Sequence, residues 1–192
     1  MASAGSRLKI LAVVLAAVCL LATPGAARAD IRIGHLSVFL NDNDVTVQVV
    51  LLGAVPPSLH ESLHSGIAVH VRFRVELLQQ GFFRDRVVQA RTVERQLSYS
   101  VLTKEYKVAS LQGEQREPYL SKGLREAQRV ASDLRVSRLA PAPSLDPGEL
   151  YYVRVRADAS LGGVNTWLAR ATGDAAETEW VQSSLLTVTR SQ

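Results

Sequence analysis

The sequence predicts a mainly β protein, an antiparallel β-sandwich or curled sheet of about seven or eight strands with two helices. Residues 67–77 alternate between apolar and polar side chains, which is typical of a strand with one buried and one solvated face. Shorter alternating runs follow, separated by clusters of Gly, Pro, Asn and Asp. Only residues 121–134 have the spacing of a long amphipathic helix.

The predicted strands lie at residues 30–40, 45–52, 67–77, 86–102, 104–110, 150–159 and 178–189. The first two form a hairpin around a polar turn at 41–44, and Gly34 is expected to introduce a bulge. The third and fourth form a second hairpin that turns at Gly81. The buried set of the fourth strand changes parity, so we expect a bulge near Arg91.

The helix at 121–134 is predicted to cover a sheet or close one end of a sandwich, because one face is apolar and the other charged. Its apolar stripe consists of Leu120, Leu124, Ala127, Ala131 and Leu134. A short helix is predicted at 58–65. Ser58 is expected to cap it, Glu61 to complete a capping box, and Gly66 to end it.

Residues 1–29 have the three parts of a secretory signal peptide: a basic start, an apolar run and small residues before a cut near Ala29 and Asp30. Residues 30–192 are therefore expected to form a single exported domain. The alternative is that an uncleaved N-terminal anchor retains the chain. Cys19, the only cysteine, would leave with the signal, so no disulfide or thiol chemistry is expected.

The charge balance favours neither nucleic acid nor an anionic surface as a partner. The chain has 22 Lys and Arg, of which Arg7, Lys9 and Arg28 lie in the signal, so 19 remain against 18 Asp and Glu. No basic stripe interleaved with aromatic residues is present in the sequence. We expect no nucleic-acid partner and no stable membrane insertion after signal cleavage.

The most chemically suggestive motif is His60-Glu61-Ser62-Leu63-His64. On a helix, its two imidazoles lie one turn apart and can bind zinc, while the glutamate acts as base on a metal-bound water. His70 lies where a metzincin protease places its third zinc ligand. A small zinc-dependent hydrolase using His60, His64 and His70, with Glu61 as base, is therefore the alternative function.

Five features argue against that enzyme. Met1 is the only methionine, so no methionine turn exists, and Ile67 replaces the expected glycine. Too little chain precedes the motif to form the substrate sheet. His70 belongs to the polar face of the long strand, and Glu61 has a structural explanation as a capping partner. We therefore assign no catalytic residue, no metal site and no cofactor.

The remaining charges of the long hairpin are expected to form a solvated sheet face and to pair across strands. The outward set comprises His70, Arg72, Arg74, Glu76, Glu94 and Arg95.

Several segments carry a family resemblance. They are Ser65-Gly66-Ile67, Phe83-Arg84-Asp85-Arg86-Val87-Val88, Leu97-Ser98-Tyr99, the run Leu102-Thr103-Lys104-Glu105-Tyr106-Lys107-Val108, and Pro147-Gly148-Glu149-Leu150-Tyr151-Tyr152-Val153-Arg154-Val155-Arg156. On these the chain resembles an uncharacterised exported proteobacterial family, domain-of-unknown-function family 4390. The C-terminal part, with Trp167 and Trp180, departs from the family pattern. The resemblance supplies no catalytic residues. It implies a periplasmic location and, by gene association only, an accessory role beside a membrane sensor kinase.

The resulting expectation is a non-enzymatic exported β-sandwich that acts as a binding or accessory module of the cell envelope. Its partner would be a protein or an envelope component.

Overall fold

The computed structural model describes residues 31–40, 43–162 and 175–188. The strands are β1 (Arg32–Leu40), β2 (Asp44–Leu52), β3 (Val69–Gln79), β4 (Arg86–Ser100), β5 (Glu105–Gln112), β6 (Tyr119–Ser121), β7 (Asp133–Pro141), β8 (Leu150–Leu161), β9 (Ala175–Glu177), β10 (Val181–Gln182) and β11 (Leu186–Thr187). The helices are α1 (Pro57–His64) and α2 (Leu124–Ser132), and a short 3₁₀ turn spans Ala142–Ser144.

The strands form two antiparallel sheets, which confirms the predicted fold class. The small sheet has the order β1-β2-β7, and the large sheet has the order β10-β8-β3-β4-β5-β6. Strands β9 and β11 also pair with β8. Of the described strands, β6, β9, β10 and β11 have only two or three residues, which leaves seven long strands. Six of these match predicted strands, whereas β7 was not predicted and the strand predicted at 178–189 is not among them.

Strand β3 is the central element of the large sheet, hydrogen-bonded to β4 on one side and β8 on the other. Its odd-numbered side chains from Val69 to Leu77 are fully buried, as the alternation predicted. The strand begins two residues later than expected, because Ile67 lies in the connection from α1 and is 45% exposed.

The two sheets enclose one apolar core between them. β1 contacts β8 and β10, and β7 contacts β4, so the small sheet lies across the face of the large one. The fully buried members of this core include Val45, Val47, Val49, Leu59, Leu63, Val71, Phe73, Val75, Leu97, Ala127, Leu134, Val153 and Val155. Both helices contribute to it, so they close the sides of the sandwich.

Both predicted bulges exist. The register of β1 on β2 shifts at Gly34, as expected. In β4 the shift falls at Val88, because Leu77 faces Gln89 while Leu78 faces Val87. The predicted position near Arg91 was therefore three residues too late. The extra residue at Val88 reverses which side chains point inward, which produces the parity change seen in the sequence.

The helix predicted at 121–134 is shorter than expected. Residues at its predicted start form β6, where Leu120 is 59% exposed, so its place in the apolar stripe was wrong. Residues at its predicted end form the start of β7, a strand that was not predicted from the sequence. Leu134 is fully buried as expected, but from a strand that pairs with β2. Ala127 and Ala131 form the buried face of the helix, as predicted.

The predicted cap of the short helix was wrong. The helix begins after Pro56, with Pro57 at its first position and no side-chain cap. Proline fixes φ and needs no amide partner there, so Ser58 already lies inside the helix. The end was predicted correctly: Gly66 has φ +92, and its amide donates to the Leu63 carbonyl at 3.0 Å.

The C-terminal strand predicted at 178–189 is represented only by the short strands β10 and β11 within the described residues. The predicted signal peptide lies outside those residues. In the part of the chain that the structure describes, no helix is long and apolar enough to cross a membrane.

Candidate binding site

Helix α1 presents the two motif histidines to different surroundings. The Nε2 atom of His60 lies 3.0 Å from the Val55 carbonyl oxygen, so Nε2 carries the proton and donates it. The Gln128 amide approaches the same carbonyl and the same imidazole nitrogen at 3.5 Å each. His60 therefore connects α1 with α2.

His64 is turned toward the large sheet. Its Nδ1 donates to the His60 carbonyl at 2.9 Å, so in the neutral ring Nε2 accepts from the Tyr106 hydroxyl at 2.7 Å. The ring also packs edge-on against Tyr99 and Tyr106. Burial, and then the neighbouring Tyr99, raise the pKa of Tyr106, which keeps its hydroxyl available as a donor.

His70 lies on the outer face of the large sheet, as its alternation predicted. Its Nδ1 donates to Glu94 at 2.7 Å, and Arg72 donates to the other carboxylate oxygen at 3.2 Å. Burial opposes ionisation of Glu94, but the hydrogen bond from His70 and the charge of Arg72 outweigh it and lower its pKa. This cross-strand cluster accounts for the polar face of β3.

The structure does not bring the three candidate zinc ligands together. Among the described residues, no group of three or more His, Cys, Asp or Glu side chains could hold a metal ion. Glu61, the candidate base, lies on the exposed face of α1. Helix α1 thus has the histidine spacing that the zinc-hydrolase alternative requires, but no described residue completes a three-ligand group with these histidines.

The predicted exposure of Arg95 is wrong. The sequence analysis assigns this residue to the outward charges, but its side chain is buried and only 2% exposed. On β4 it lies between Val93 and Leu97, both buried, so its parity requires that it point inward. The sequence contained this signal, since neighbouring residues of one strand cannot both face outward as Glu94 and Arg95 were predicted to do.

The buried guanidinium of Arg95 is paired with one carboxylate and is also hydrogen-bonded to backbone carbonyls. Its Nε and Nη2 donate to the two carboxylate oxygens of Glu114 at 2.5 and 2.9 Å. Its Nη1 donates to the carbonyls of Val130 and Asp133 at 2.8 and 2.7 Å and approaches that of Ala131 at 3.4 Å. Arg95 therefore satisfies carbonyls at the C-terminal end of α2, which a helix leaves without partners.

Glu114 is held in its ionised form by this contact. Burial alone would raise its pKa, but the hydrogen bonds and charge of Arg95, helped by the Ser110 hydroxyl, lower it. A bidentate Arg–carboxylate pair of this kind has a defined geometry as well as a favourable charge interaction. It joins the loop after β5 to β4, while the bonds from Nη1 to the Val130 and Asp133 carbonyls hold the end of α2 against β4.

A groove of about 530 Å³ lies between the end of β2, α1 and the exposed side of α2. Its lining comprises Val50, Leu51, Leu52, Gly53, Ala54, Val55, Pro57, His60, Arg125, Gln128, Arg129, Ser132 and Asp133. Gly53 has φ +72, which turns the chain away from β2 and opens one wall. The volume is within the range of small-molecule sites.

The polar groups of the groove divide into two sets. His60 and Gln128, at the base, are bonded to the Val55 carbonyl, and Ser132 donates to the Gln128 carbonyl at 2.6 Å. Arg125 and Arg129 are exposed, one helical turn apart on α2. The sequence predicts only that this helix face is charged. The spacing of the two arginines can be read from the sequence, but the apolar wall opposite them cannot.

Within the described residues, the fold and this site together define a two-sheet antiparallel β protein with a groove between α1 and α2. A family model described as a domain of unknown function (DUF4390) matches residues 28–182, from before β1 to the end of β10. The chain belongs to this family, as the resemblance predicted. Comparison with curated proteins and with solved structures gives no match.

Replacing Arg95 tests its structural role. We expect Arg95→Met to lower the free energy of unfolding by about 3–5 kcal/mol, because it leaves the half-buried Glu114 carboxylate and the carbonyls at the end of α2 without their partner. Urea unfolding measures this. Arg91→Met is the matched control: within the described residues, Arg91 donates to the Ser137 and Arg138 carbonyls alone, at 3.3 and 3.5 Å, so its loss should cost about 1 kcal/mol. Equal losses in the two variants would contradict the assignment.

Zinc content decides the metal alternative. Because ring nitrogens of His60 and His64 are held by Val55 and Tyr106, we expect the purified protein to carry no stoichiometric zinc by atomic emission. Zinc present at one equivalent, lost in His64→Ala and retained in His35→Ala, would instead establish the site.

Proposed function

We propose that this chain is a non-enzymatic, exported binding module of the cell envelope and that its ligand occupies the groove between α1 and α2. The observation that carries the proposal is the groove itself, in which an apolar wall faces two exposed arginines. A concave, mostly apolar site with a few convergent polar groups is the usual form of a ligand site.

The lining indicates the chemical class of the ligand. Leu52 and Pro57 offer apolar surface, whereas Arg125 and Arg129 offer positive charge on the opposite side. Asp133 is the one acidic side chain in the lining, so the local balance is positive. We infer an envelope component, or a segment of a partner protein, with an apolar body and an anionic end.

The hydrogen bonds in the groove support binding rather than catalysis. A general base needs a free lone pair directed at its substrate, and a nucleophile needs a base beside it. The His60 Nε2 donates to the Val55 carbonyl, so the lone pair of the ring is on Nδ1, and among the described residues no hydroxyl is hydrogen-bonded to that nitrogen. The Ser132 hydroxyl donates back into α2 at the Gln128 carbonyl. These groups shape the groove and fix the position of α2.

Export and location are part of the proposal. The tripartite pattern of residues 1–29 supports cleavage near Ala29 and release to the periplasm, with a retained anchor as the alternative. The gene association of the family suggests that the module assists a membrane sensor kinase. The competing function, a zinc-dependent hydrolase, is decided by the zinc measurement above.

Dodecanoate, an apolar chain with a carboxylate, is a suitable probe for the groove. By isothermal titration calorimetry below its micellar concentration, we expect it to bind the protein purified from the envelope of expressing bacteria. Arg125→Glu/Arg129→Glu should weaken binding at least about tenfold, since both favourable charges become repulsive.

Two controls separate a specific site from general adsorption. Lys104→Glu/Lys107→Glu makes the same change in net charge at exposed positions outside the groove lining and should leave the affinity unchanged. Dodecyltrimethylammonium has the same chain with the opposite charge and should bind the wild type more weakly. Equal binding of both amphiphiles, or an equal effect of both double variants, would refute the groove as an anionic-ligand site.

A further inference from the structure

The loop between β3 and β4 projects two aromatic rings into solvent. Phe82 and Phe83 are each 95% exposed, and their ring centroids lie 4.7 Å apart in an edge-on arrangement. A single exposed apolar residue is ordinary, but two adjacent and almost fully exposed phenylalanines leave a large apolar surface in water.

The loop is fixed in a way that keeps these rings exposed. The Asp85 carboxylate accepts hydrogen bonds from the Gly81 amide at 3.1 Å and from the Tyr152 hydroxyl on β8 at 2.6 Å. The bond from Tyr152, followed by that from Gly81, lowers the pKa of Asp85, so the carboxylate stays ionised. A Cβ at Gly81 would lie 2.2 Å from the Arg84 carbonyl oxygen, so the turn requires glycine.

Other exposed apolar residues lie at the same end of the large sheet. Val87 follows the loop and is 47% exposed. Leu150, at the start of β8, is 38% exposed and accepts a hydrogen bond from the Gln80 amide at 2.8 Å. Leu185 is 52% exposed and precedes β11, which pairs with that part of β8. The apolar surface is thus wider than the two phenylalanines.

Basic residues follow the aromatic pair directly. Arg84 is exposed, and Arg86 donates to Gln79 at 2.7 Å at the base of the loop. Asp85 is the only acid of the loop, and it is turned toward Tyr152. Aromatic residues at an apex with cations behind them match the order of a bilayer interface, where acyl chains lie beneath anionic headgroups.

We propose that the β3–β4 loop, residues 80–85, is a reversible contact site for the surface of an anionic phospholipid bilayer. The apex is convex, so a soft interface can cover both rings, whereas a protein partner would need a matching pocket. The contact is peripheral: the rings enter the headgroup boundary, and no segment crosses the membrane. β3 separates this loop from α1, so the groove lies toward the other end of the sandwich and remains accessible.

Vesicle flotation tests the proposal, using the protein purified from the envelope of expressing bacteria. The probes are vesicles of equimolar phosphatidylcholine and phosphatidylglycerol, and vesicles of phosphatidylcholine alone. We expect the wild type to bind the anionic vesicles and to bind the neutral ones more weakly. Phe82→Ser/Phe83→Ser should lower the partition coefficient at least about tenfold, because both rings supply apolar area to the interface.

Leu102→Ser is the matched control. Leu102 is 96% exposed at the β4–β5 turn, at the far end of β4 from the loop, and its loss should leave vesicle binding unchanged. Thermal unfolding should be the same for both variants and the wild type, since the substituted side chains lie in solvent. This control excludes misfolding as the cause of lost binding.

Three outcomes would overturn the proposal: a wild type that binds neither vesicle, a double phenylalanine variant that binds like the wild type, or equal binding to neutral and anionic vesicles. The first, together with loop-dependent capture by a membrane protein in detergent, would assign the loop to a protein partner instead. Dodecanoate affinity should be unaffected by the phenylalanine variant, so failure of this proposal and failure of the groove proposal remain distinguishable.

Discussion

The bidentate contact between Arg95 and Glu114 is the constraint on which the site depends. A charged side chain within the sandwich is costly unless it is paired and hydrogen-bonded, and here the carboxylate and the helix carbonyls do both. Together, the hydrogen bonds of Arg95 join three parts of the chain that are distant in sequence: β4, the loop after β5, and the junction of α2 with β7. Because α2 forms one wall of the groove, its placement by Arg95 also determines the width of the groove.

Much of the fold could be predicted because it follows from local alternation. The buried set of β3, the Gly34 bulge and the Gly66 helix end each needed only neighbouring residues. The predictions that failed depended on distant contacts. The predicted helix extended into residues that belong to β7. The alternation of Leu134 and Val136 is typical of a strand, but the pairing of Asp133 with Val50 that places this strand in the sheet is a contact between distant residues.

The candidate site was predictable only in part, for the same reason. His60, His64 and Glu61 formed a recognisable motif, but the partners of the two imidazoles, Val55 and Tyr106, are set by tertiary packing. The burial of Arg95 could have been deduced from strand parity. The groove could not, because its two walls come from segments about 70 residues apart, as the Val55–Gln128 contact shows.

The groove and the aromatic loop have two different proposed roles. The loop would bring the protein to a bilayer surface, and the groove, beyond the opposite end of β3, would remain open to a ligand or partner. Membership of the DUF4390 family assigns no chemistry that competes with this arrangement. Amide chemical-shift mapping during a dodecanoate titration tests whether the groove is the ligand site. We expect shifts concentrated at Gly53, Ala54, His60, Gln128 and Arg129, with the amides of residues 80–85 unchanged; shifts located elsewhere, or none at saturating probe, would show that the ligand does not occupy the groove.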